Sequence, residues 1–351
     1  MSGYTQLQIT IRPTSAFLTP LVADTLWGHL VWAEVYGGGD ISAWLAPDNP
    51  HPPIVLTDVF PAGWLPAPKM ALTGESIRAF AAGLSADASP ERLVGIAKRA
   101  ARRALLPQEL VQSMLAGDDI EGGFLEALGE AARGRRCPIC IALTDCEPRQ
   151  CPVLSGTREI DAARACRRQL AQIDFRAPVV PSRHVAIDRA SSTALEGQLF
   201  DYADEWPDGQ WRCWMRTTLE PDHIKRLMTF VGDSGYGKRA SVGKGRFEVV
   251  SVDEGHSPLP GLQPARGRYM ILSSSLAPGP TIDLAGAVYG VRVKRGKLHN
   301  SSQYIKKPVA MFTAGSVFVG TPEVYVGALV PAVHSIDQEV VDYGIAYPVA
   351  F

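Results

Sequence analysis

The chain has 351 residues, enough for a sizeable core and for more than one domain. Hydrophobic residues make up 46% and charged residues 20%, which excludes a disordered chain, and the formal net charge of −1 gives no indication of a generally basic surface. No apolar run reaches the ~18 residues needed to span a bilayer, and residues 1–12 lack the layout of a signal peptide. The sequence therefore predicts a soluble, cytoplasmic protein without membrane contact.

The first predicted elements are a strand and a helix. Residues 6–12 alternate polar and apolar side chains, which is typical of a strand. Asp24 is a candidate cap for a helix that runs to about Tyr36. Residues 47–68 are rich in proline and predict an extended, irregular segment. Three further helices are predicted beyond it: Glu91–Leu105, Pro107–Ala132 and Ile160–Ile173.

Strand patterns return in the centre of the chain. Three strands are predicted, the last two as a hairpin around the turn Trp206–Gly209: His184–Asp188, Gly197–Ala203 and Gln210–Leu219. The next helix has proline in its first turn at Pro221 and runs to Val231. A glycine-rich loop, residues 235–245, connects this helix to the strand Arg246–Asp253.

The element order predicts the fold class. Without its insertions the first part of the chain has the order strand, helix, two strands, helix, strand, which is the ferredoxin-like order. Glycine and proline cluster at 254–265 and predict a linker. Beyond it, Ile282–Val291 is predicted as a short helix among strands. We therefore predict an α+β protein with two ferredoxin-like (RRM-like) domains, residues 1–255 with a large helical insertion at about 40–180, and residues 265–351.

Two stretches concentrate positive charge. Gly235–Arg246 contains four basic residues and no acidic one, and Arg292–Lys307 contains six basic residues and no acidic one. Basic stripes on a neutral protein favour a confined polyanion site, although solvated surface loops have the same composition.

The glycine-rich loop is the most informative stretch. Its four glycines permit positive φ angles and close backbone approach, and successive amide N–H groups in such a loop can converge on a phosphate. The loop lacks the Gly-Lys-Ser/Thr ending of a nucleotide-binding loop, so nucleotide hydrolysis is a poor fit. A tight structural turn is an equally good interpretation of these residues.

Four cysteines lie within fifteen residues of one another: Cys137, Cys140, Cys146 and Cys151. The first pair has the Cys-x2-Cys spacing of a zinc knuckle, and four thiolates can hold a structural zinc without chemistry. The alternative is a set of reduced thiols. A zinc ion held there would be structural, so the protein is expected to require no cofactor for its function. A metal-binding interaction module is a second possible function.

The spacing Gly-x-Gly-x5-Gly-x-Gly, between a helix and a strand, resembles the signature loop of the RAMP superfamily of CRISPR proteins. Further stretches, in order along almost the whole chain, are similar to the fourth subunit of the type III-A (Csm) effector complex: Asp24–His29, Phe60–Lys69, His184–Arg189, Gly197–Phe200, His334 and Tyr343–Ala346. The cysteine cluster is a departure from that pattern.

The resemblance implies a non-catalytic subunit of an antiviral ribonucleoprotein complex. Such a subunit binds the 5′ handle of the crRNA and links the large polymerase-like signalling subunit to the backbone RAMP subunits. Tyr236, Tyr304 and His184 are candidate stacking surfaces for bases. The candidate RNA-binding residues are Arg183, His184, Arg189, Gly235, Tyr236, Gly237, Lys238, Arg239, Ser241, Gly243, Lys244, Gly245, Arg246, Arg295, Lys297, Lys306 and Lys307.

Two related functions stay open at this point. A metal-independent endoribonuclease of the same superfamily, which processes crRNA precursors, would use a histidine as general acid–base beside the glycine-rich loop, and His29 is the candidate. A homologous subunit of another type III subtype has a similar loop.

Overall fold

The computed structural model describes residues 3–83, 91, 94–95, 97, 103–117, 119–136, 141, 179–262, 267–276, 284–298, 304–337 and 339–351. Its helices are α1 (Ala23–Tyr36), α2 (Ser42–Leu45), α3 (Gly74–Gly83), α4 (Gln108–Ala116), α5 (Ile120–Ala132) and α6 (Pro221–Ser234). The first nine strands are β1 (Thr5–Pro13), β2 (Ile54–Leu56), β3 (Phe60–Pro61), β4 (Trp64–Pro66), β5 (Leu105–Pro107), β6 (Val179–Ile187), β7 (Ala194–Glu205), β8 (Trp211–Thr217) and β9 (Phe247–Glu254). The remaining strands are β10 (Arg268–Ile271), β11 (Val291–Lys294), β12 (Val309–Phe312), β13 (Val317–Val319), β14 (Val326–Val330), β15 (Asp342–Ala346) and β16 (Pro348–Ala350).

A five-stranded antiparallel sheet organises the first part of the chain. Its order is β2-β8-β1-β9, and β3 also pairs with β8. The alternation in β1 explains its place, because Leu7, Ile9 and Ile11 are all buried on one face. Helix α1 follows β1 along the chain, and helix α6 follows β8. Along the chain the sheet has the order strand, helix, strand, strand, helix, strand, but its second strand is β2, from the segment predicted to be irregular, and not Gly197–Ala203.

The start of α1 differs from the prediction. The residue before the helix is Val22, and Asp24 lies inside the first turn rather than at the cap. The capping role belongs to Asp58, whose Oδ1 accepts the N–H of Ala23 at 2.8 Å. The prediction of Asp24 as the helix cap is wrong, because its carboxylate faces inward, toward two cations from the second part of the chain.

The predicted hairpin around Trp206–Gly209 is also wrong. Strand β7 pairs with β6 over a long register from Val179↔Glu205 to Ile187↔Ala194, whereas β8 pairs with β1 and β2 in the large sheet. The turn connects two different sheets. The β6–β7 hairpin is exposed along most of its length.

The helical insertion is described only in part. Leu105, predicted to end a helix, begins strand β5, and the single helix predicted for Pro107–Ala132 is divided into α4 and α5. The predicted helix Ile160–Ile173 and the four clustered cysteines lie outside the described residues. Among the described residues, no helix is long and apolar enough to cross a membrane.

The second part of the chain consists of small antiparallel sheets. β10, β13 and β16 form one sheet, and β11 pairs with β12 and β14 with β15. Within the described residues from 267 onward there is no helix, so residues 284–291 do not form the predicted one. The chain is thus a mixed α/β protein with several antiparallel sheets, and a second ferredoxin-like domain stays a prediction.

The hydrophobic core is continuous across both parts. One cluster of buried side chains includes Leu30 of α1, Met215 of β8 and Tyr343 of β15. Trp27 stacks on Tyr343 with 5.2 Å between ring centroids. The second part of the chain therefore packs directly on the helix that supports the glycine-rich loop.

Candidate nucleic-acid interface

The two ends of the glycine-rich loop are held together by backbone hydrogen bonds. The N–H of Tyr236 donates to the carbonyl of Gly245, and the N–H of Gly245 donates to that of Ala16, both at 2.8 Å. Gly245 has φ +73°, and a Cβ there would lie 2.0 Å from the carbonyl oxygen of Tyr236. Glycine is required at this position because the chain crosses itself too closely for a side chain.

The loop is fastened to helix α1 and to the segment that precedes it. The N–H of Gly237 donates to Nε2 of His29 at 2.8 Å, and the N–H of Lys238 donates to Oγ1 of Thr19 at 2.9 Å. These amides already have acceptors within the protein. These two amides are therefore not directed at a ligand, and convergence of other loop amides on a phosphate stays a prediction.

Tyr236 is an internal support of the loop. Its side chain is fully buried, its hydroxyl donates to the carbonyl of Pro20 at 2.6 Å, and it accepts the N–H of Val22 at 3.1 Å. Burial raises the pKa of this phenol. The ring cannot stack on a base, so the predicted stacking role of Tyr236 is wrong.

The basic side chains of the loop meet strand β7. The ammonium of Lys238 lies 4.4 Å and the guanidinium of Arg239 4.6 Å from the ring centroid of Tyr202. Both distances are within the range of a cation–π interaction. Lys244 forms an ion pair with Asp204, two residues further along the same strand face. Tyr202 therefore orders two loop cations, while the charge of Lys244 is neutralised by a buried carboxylate.

Aromatic rings extend this arrangement along the β6–β7 hairpin. His184 and Phe200 are cross-strand partners whose rings stack at 5.8 Å with an interplanar angle of 16°, and each also contacts Tyr202. The result is one continuous surface of two cations and three rings. We call it the loop–hairpin face, and its members are Lys238, Arg239, Tyr202, Phe200 and His184.

The other predicted residues of this region lie around that face. Arg183 points to the opposite side of the hairpin, where its Nε lies 3.1 Å from Oδ1 of Asp201. Arg189 is exposed in the turn of the hairpin, and Ser241 and Arg246 are exposed on the loop. Gly235 and Gly243 have φ values of +92° and +86°, which glycine adopts without strain, and their contact with RNA stays a prediction.

The second basic stretch is used differently. Arg292 and Lys294 both contact Oδ2 of Asp24, at 2.8 and 2.9 Å, and that carboxylate is 1% exposed. Lys306 contacts Oδ1 of the buried Asp342 at 2.6 Å. Its charge is therefore paired within the protein, and the role of Lys306 in RNA binding stays a prediction.

Three cations of the second stretch remain at the surface. Lys297 lies 5.2 Å from the ring centroid of Tyr304, and Lys307 donates to the carbonyl of Ala332 at 2.9 Å. Arg295 is exposed beside them. None of the three contacts the loop–hairpin face within the part of the chain that the structure describes, and their role in RNA binding stays a prediction.

Sequence reasoning missed two members of the face, Phe200 and Tyr202. The signal was present, because residues two apart in a strand share a face and His184 pairs across from Phe200. The wrong pairing of β7 with β8 concealed it. With β6 as the partner, the three rings fall on one side of the hairpin.

His29, the candidate general acid–base of the endoribonuclease alternative, supports the loop. Its Nε2 accepts the Gly237 N–H, so the neutral ring carries its proton on Nδ1. The ring also lies 5.2 Å from that of Tyr236. Among the described residues, no group of three or more acidic, histidine or cysteine side chains is placed to hold a metal ion.

Comparisons with known proteins bear on the fold. No protein-family model matches the chain, and no curated protein matches it. Solved structures do match. A chain of a Csm1-Csm4 cassette crystallised with cA4 superposes with a TM-score of 0.52 at 16% identity, over 99% of this chain and 97% of that one. A chain of the cassette with AMPPNP gives 0.50 at the same identity and coverage.

These structural matches define the fold class of the chain. The chain has the fold of a RAMP protein, with the glycine-rich loop between the last helix and last strand of its first sheet. Within that class the fold is the one found in Csm4 of the type III-A CRISPR-Cas complexes. At 16% identity the likeness concerns the fold.

Proposed function

We propose that this chain is a non-catalytic subunit of a type III-A CRISPR effector complex and binds the 5′ handle of the crRNA. The observation that carries this proposal is the loop–hairpin face, where Lys238 and Arg239 lie over Tyr202 beside the stacked pair His184–Phe200. The fold matches and the sequence resemblance both support it. The cytoplasm is the expected location, and a second ferredoxin-like domain at 265–351 belongs to the same interpretation.

The chemistry of the face suits a single-stranded RNA. Cations supply phosphate contacts whose affinity falls with salt, and exposed rings accept unstacked bases at about 1–3 kcal/mol per base. Phe200 is 38% exposed, so its ring is accessible to a base. A single-stranded handle at the 5′ end of the guide RNA offers both phosphates and unstacked bases. The loop–hairpin face therefore offers rings for base stacking and cations for phosphate contacts on one surface.

The rigidity of the loop supports binding over catalysis. His29 is engaged by the N–H of Gly237, and its ring packs on Tyr236. A general acid–base must reach the reacting atoms, whereas this ring nitrogen holds the loop in place. We therefore propose that His29 is a positioning residue. The endoribonuclease and the subunit of another type III subtype are alternatives that no described contact favours.

The proposed partners are the large signalling subunit on one side and the first backbone RAMP subunit on the other. In the solved structures with the same fold, the matching chain is part of a Csm1-Csm4 cassette. We propose the corresponding pairing for this chain. Structural zinc at the four cysteines stays a prediction from their spacing.

Fluorescence anisotropy with a labelled guide RNA tests the proposal. We expect binding that requires the 5′ handle and that Lys238→Ala/Arg239→Ala weakens by about tenfold, the equivalent of ~1.4 kcal/mol. This variant spares Lys244, because removing Lys244 would leave the buried Asp204 without its cation. Equal affinity for guides with and without the handle would contradict the handle-binding role.

A cleavage assay separates the endoribonuclease. A labelled repeat RNA is incubated with the protein in chelator, alongside His29→Ala. We expect intact RNA in both reactions. Specific cleavage by the wild type that His29→Ala abolishes would establish the alternative.

A further inference from the structure

Three aromatic side chains of helices α1 and α6 form an exposed cluster that shares no residue with the loop–hairpin face. Trp32 and Tyr36 project from α1 and are 45% and 60% exposed, and Phe230 projects from α6 and is 42% exposed. The ring centroids of Trp32 and Tyr36 are 5.7 Å apart, and those of Tyr36 and Phe230 are 5.9 Å apart. We call these three residues the aromatic patch.

The patch is not part of the core. Leu26 and Leu30 of α1 and Leu227 of α6 are buried on the inner sides of their helices, so the helices are already packed without the three rings. Clustered exposed aromatic residues are uncommon on monomers and mark interaction sites. Trp and Tyr are also the residue types that contribute most to protein–protein binding energy.

Charged residues surround the ring of Phe230 in a shallow groove along α6. Two are acidic, Asp222 and Asp233, and two are basic, Lys225 and Arg226. The rim is therefore neutral in sum, which does not suit a polyphosphate chain. An apolar centre with a rim of mixed charge is the composition of a protein–protein interface.

A second copy of this chain fits the rim poorly. Antiparallel packing of two α6 helices, centred on this groove, places Asp222 of one copy opposite Asp233 of the other. Like charges face each other at both ends of such an interface, which opposes association. A different protein can instead supply a carboxylate opposite Lys225 and Arg226.

We propose that the aromatic patch is the docking surface for the large signalling subunit, an inference that rests on the proposed function. The partner would place an apolar side chain beside Phe230 and an acidic residue opposite Lys225 and Arg226. Helix α6 leads directly from Phe230 into the loop at Gly235. A subunit docked here therefore sits next to the bound handle, as a protein that links the handle to the signalling subunit requires.

Binding of the purified chain to the large subunit of the same effector complex, measured by isothermal titration calorimetry, tests the proposal. We expect Trp32→Ala/Tyr36→Ala/Phe230→Ala to raise the Kd at least 30-fold, because buried aromatic anchors dominate such interfaces. The charge reversal Lys225→Glu/Arg226→Glu should raise it about tenfold at low salt and less at high salt. Val291→Ala/Val293→Ala is the matched control, since it removes exposed apolar surface from β11 and should leave the Kd unchanged.

Handle-RNA binding by the same variants verifies that they are folded, because the loop–hairpin face does not include the patch. Unchanged affinity of the triple variant for the large subunit would overturn the patch while leaving the proposed function intact. Failure of the wild type to bind the large subunit would overturn both. Loss of backbone-subunit binding, or of self-association in sedimentation, with the large subunit still bound would also overturn the assignment.

Discussion

The glycine-rich loop and strand β11 both carry basic side chains, but Lys238 and Arg239 of the loop are placed differently from Arg292 and Lys294 of the strand. In the loop, Lys238 and Arg239 lie over an aromatic ring at the surface. In β11, Arg292 and Lys294 turn inward to the carboxylate of Asp24. A basic side chain is therefore most available to RNA where no buried carboxylate already neutralises its charge, and the predictions below test this difference.

The largest expected effect comes from removing the shared carboxylate of the second region. Asp24→Ala leaves Arg292 and Lys294 without their partner, and breaking a buried pair costs about 3–5 kcal/mol. We expect the free energy of unfolding to fall by an amount near the lower end of this range, because the two cations are partly exposed. Urea denaturation measures it. Arg12→Ala, which breaks the exposed pair with Glu248, should cost under ~1 kcal/mol, and equal losses would contradict the account.

Next in size is the effect of closing the loop crossing. Gly245→Ala places a Cβ 2.0 Å from the carbonyl oxygen of Tyr236, so we expect a loss of stability beyond the ~1–2 kcal/mol of left-handed strain, together with weakened RNA binding. Gly243→Ala is the matched control, because its φ is also positive but nothing lies within 4 Å. It should show the strain alone. Equal effects of the two variants on RNA affinity would indicate that loop shape is irrelevant to binding.

The hairpin face is tested by removing one ring. Phe200→Ala should weaken binding of handle RNA by about 1–3 kcal/mol, the range for one stacked base. Leu199→Ala removes an exposed apolar side chain from the opposite face of the same hairpin and should change little. Anisotropy titrations of both variants decide the matter. A larger effect of Leu199→Ala would indicate that the RNA binds the opposite face of the hairpin and would contradict the assignment.

The two basic regions can be compared directly through the salt dependence of RNA binding. Lys238→Ala/Arg239→Ala should lower the slope of log K against log salt by about 1.4, or ~0.7 for each lost phosphate contact. Arg295→Ala/Lys297→Ala removes the same charge from the second region and should leave the slope unchanged. The reverse result would show that the β11–β12 region, and not the loop, holds the phosphates.

The smallest effect concerns Asp58, whose carboxyl caps α1 close to Asp24. Burial raises its pKa to about 7. The folded state then binds more protons than the unfolded state between about pH 4 and 7, so this group makes folding less favourable as pH rises through that window. Between pH 6 and 7 we expect Asp58→Asn to gain about 1 kcal/mol relative to wild type in the free energy of unfolding. A pH-independent difference would contradict the raised pKa.

Local patterns predicted the elements that position the site. The alternation in residues 6–12 predicted β1 to within one residue at each end, and the proline at the start of α6 predicted that helix to within three residues, because these signals are local. The glycine spacing likewise predicted the loop. Its internal hydrogen bonds were beyond reach, because the acceptors Ala16, Thr19 and His29 lie more than two hundred residues earlier in the chain.

Long-range pairing explains what the sequence could not reveal. The turn at Trp206–Gly209 predicted a hairpin, but the partner of β8 is β1, whose buried face matches it in the large sheet. Arg292 resembled a surface cation because its carboxylate, Asp24, is 268 residues away. Tyr236 looked available because its burial depends on two backbone groups near Pro20 that satisfy its hydroxyl. Each error concerns a contact between distant segments.

Photocrosslinking tests the central claim most directly. Handle RNA carrying 4-thiouridine is bound to the protein and irradiated, and the crosslinked peptides are identified by mass spectrometry. The account predicts crosslinks in residues 200–206 and 236–246, the β7 and loop segments of the loop–hairpin face. Crosslinks confined to residues 291–307 would contradict it and assign the RNA to the β11–β12 region.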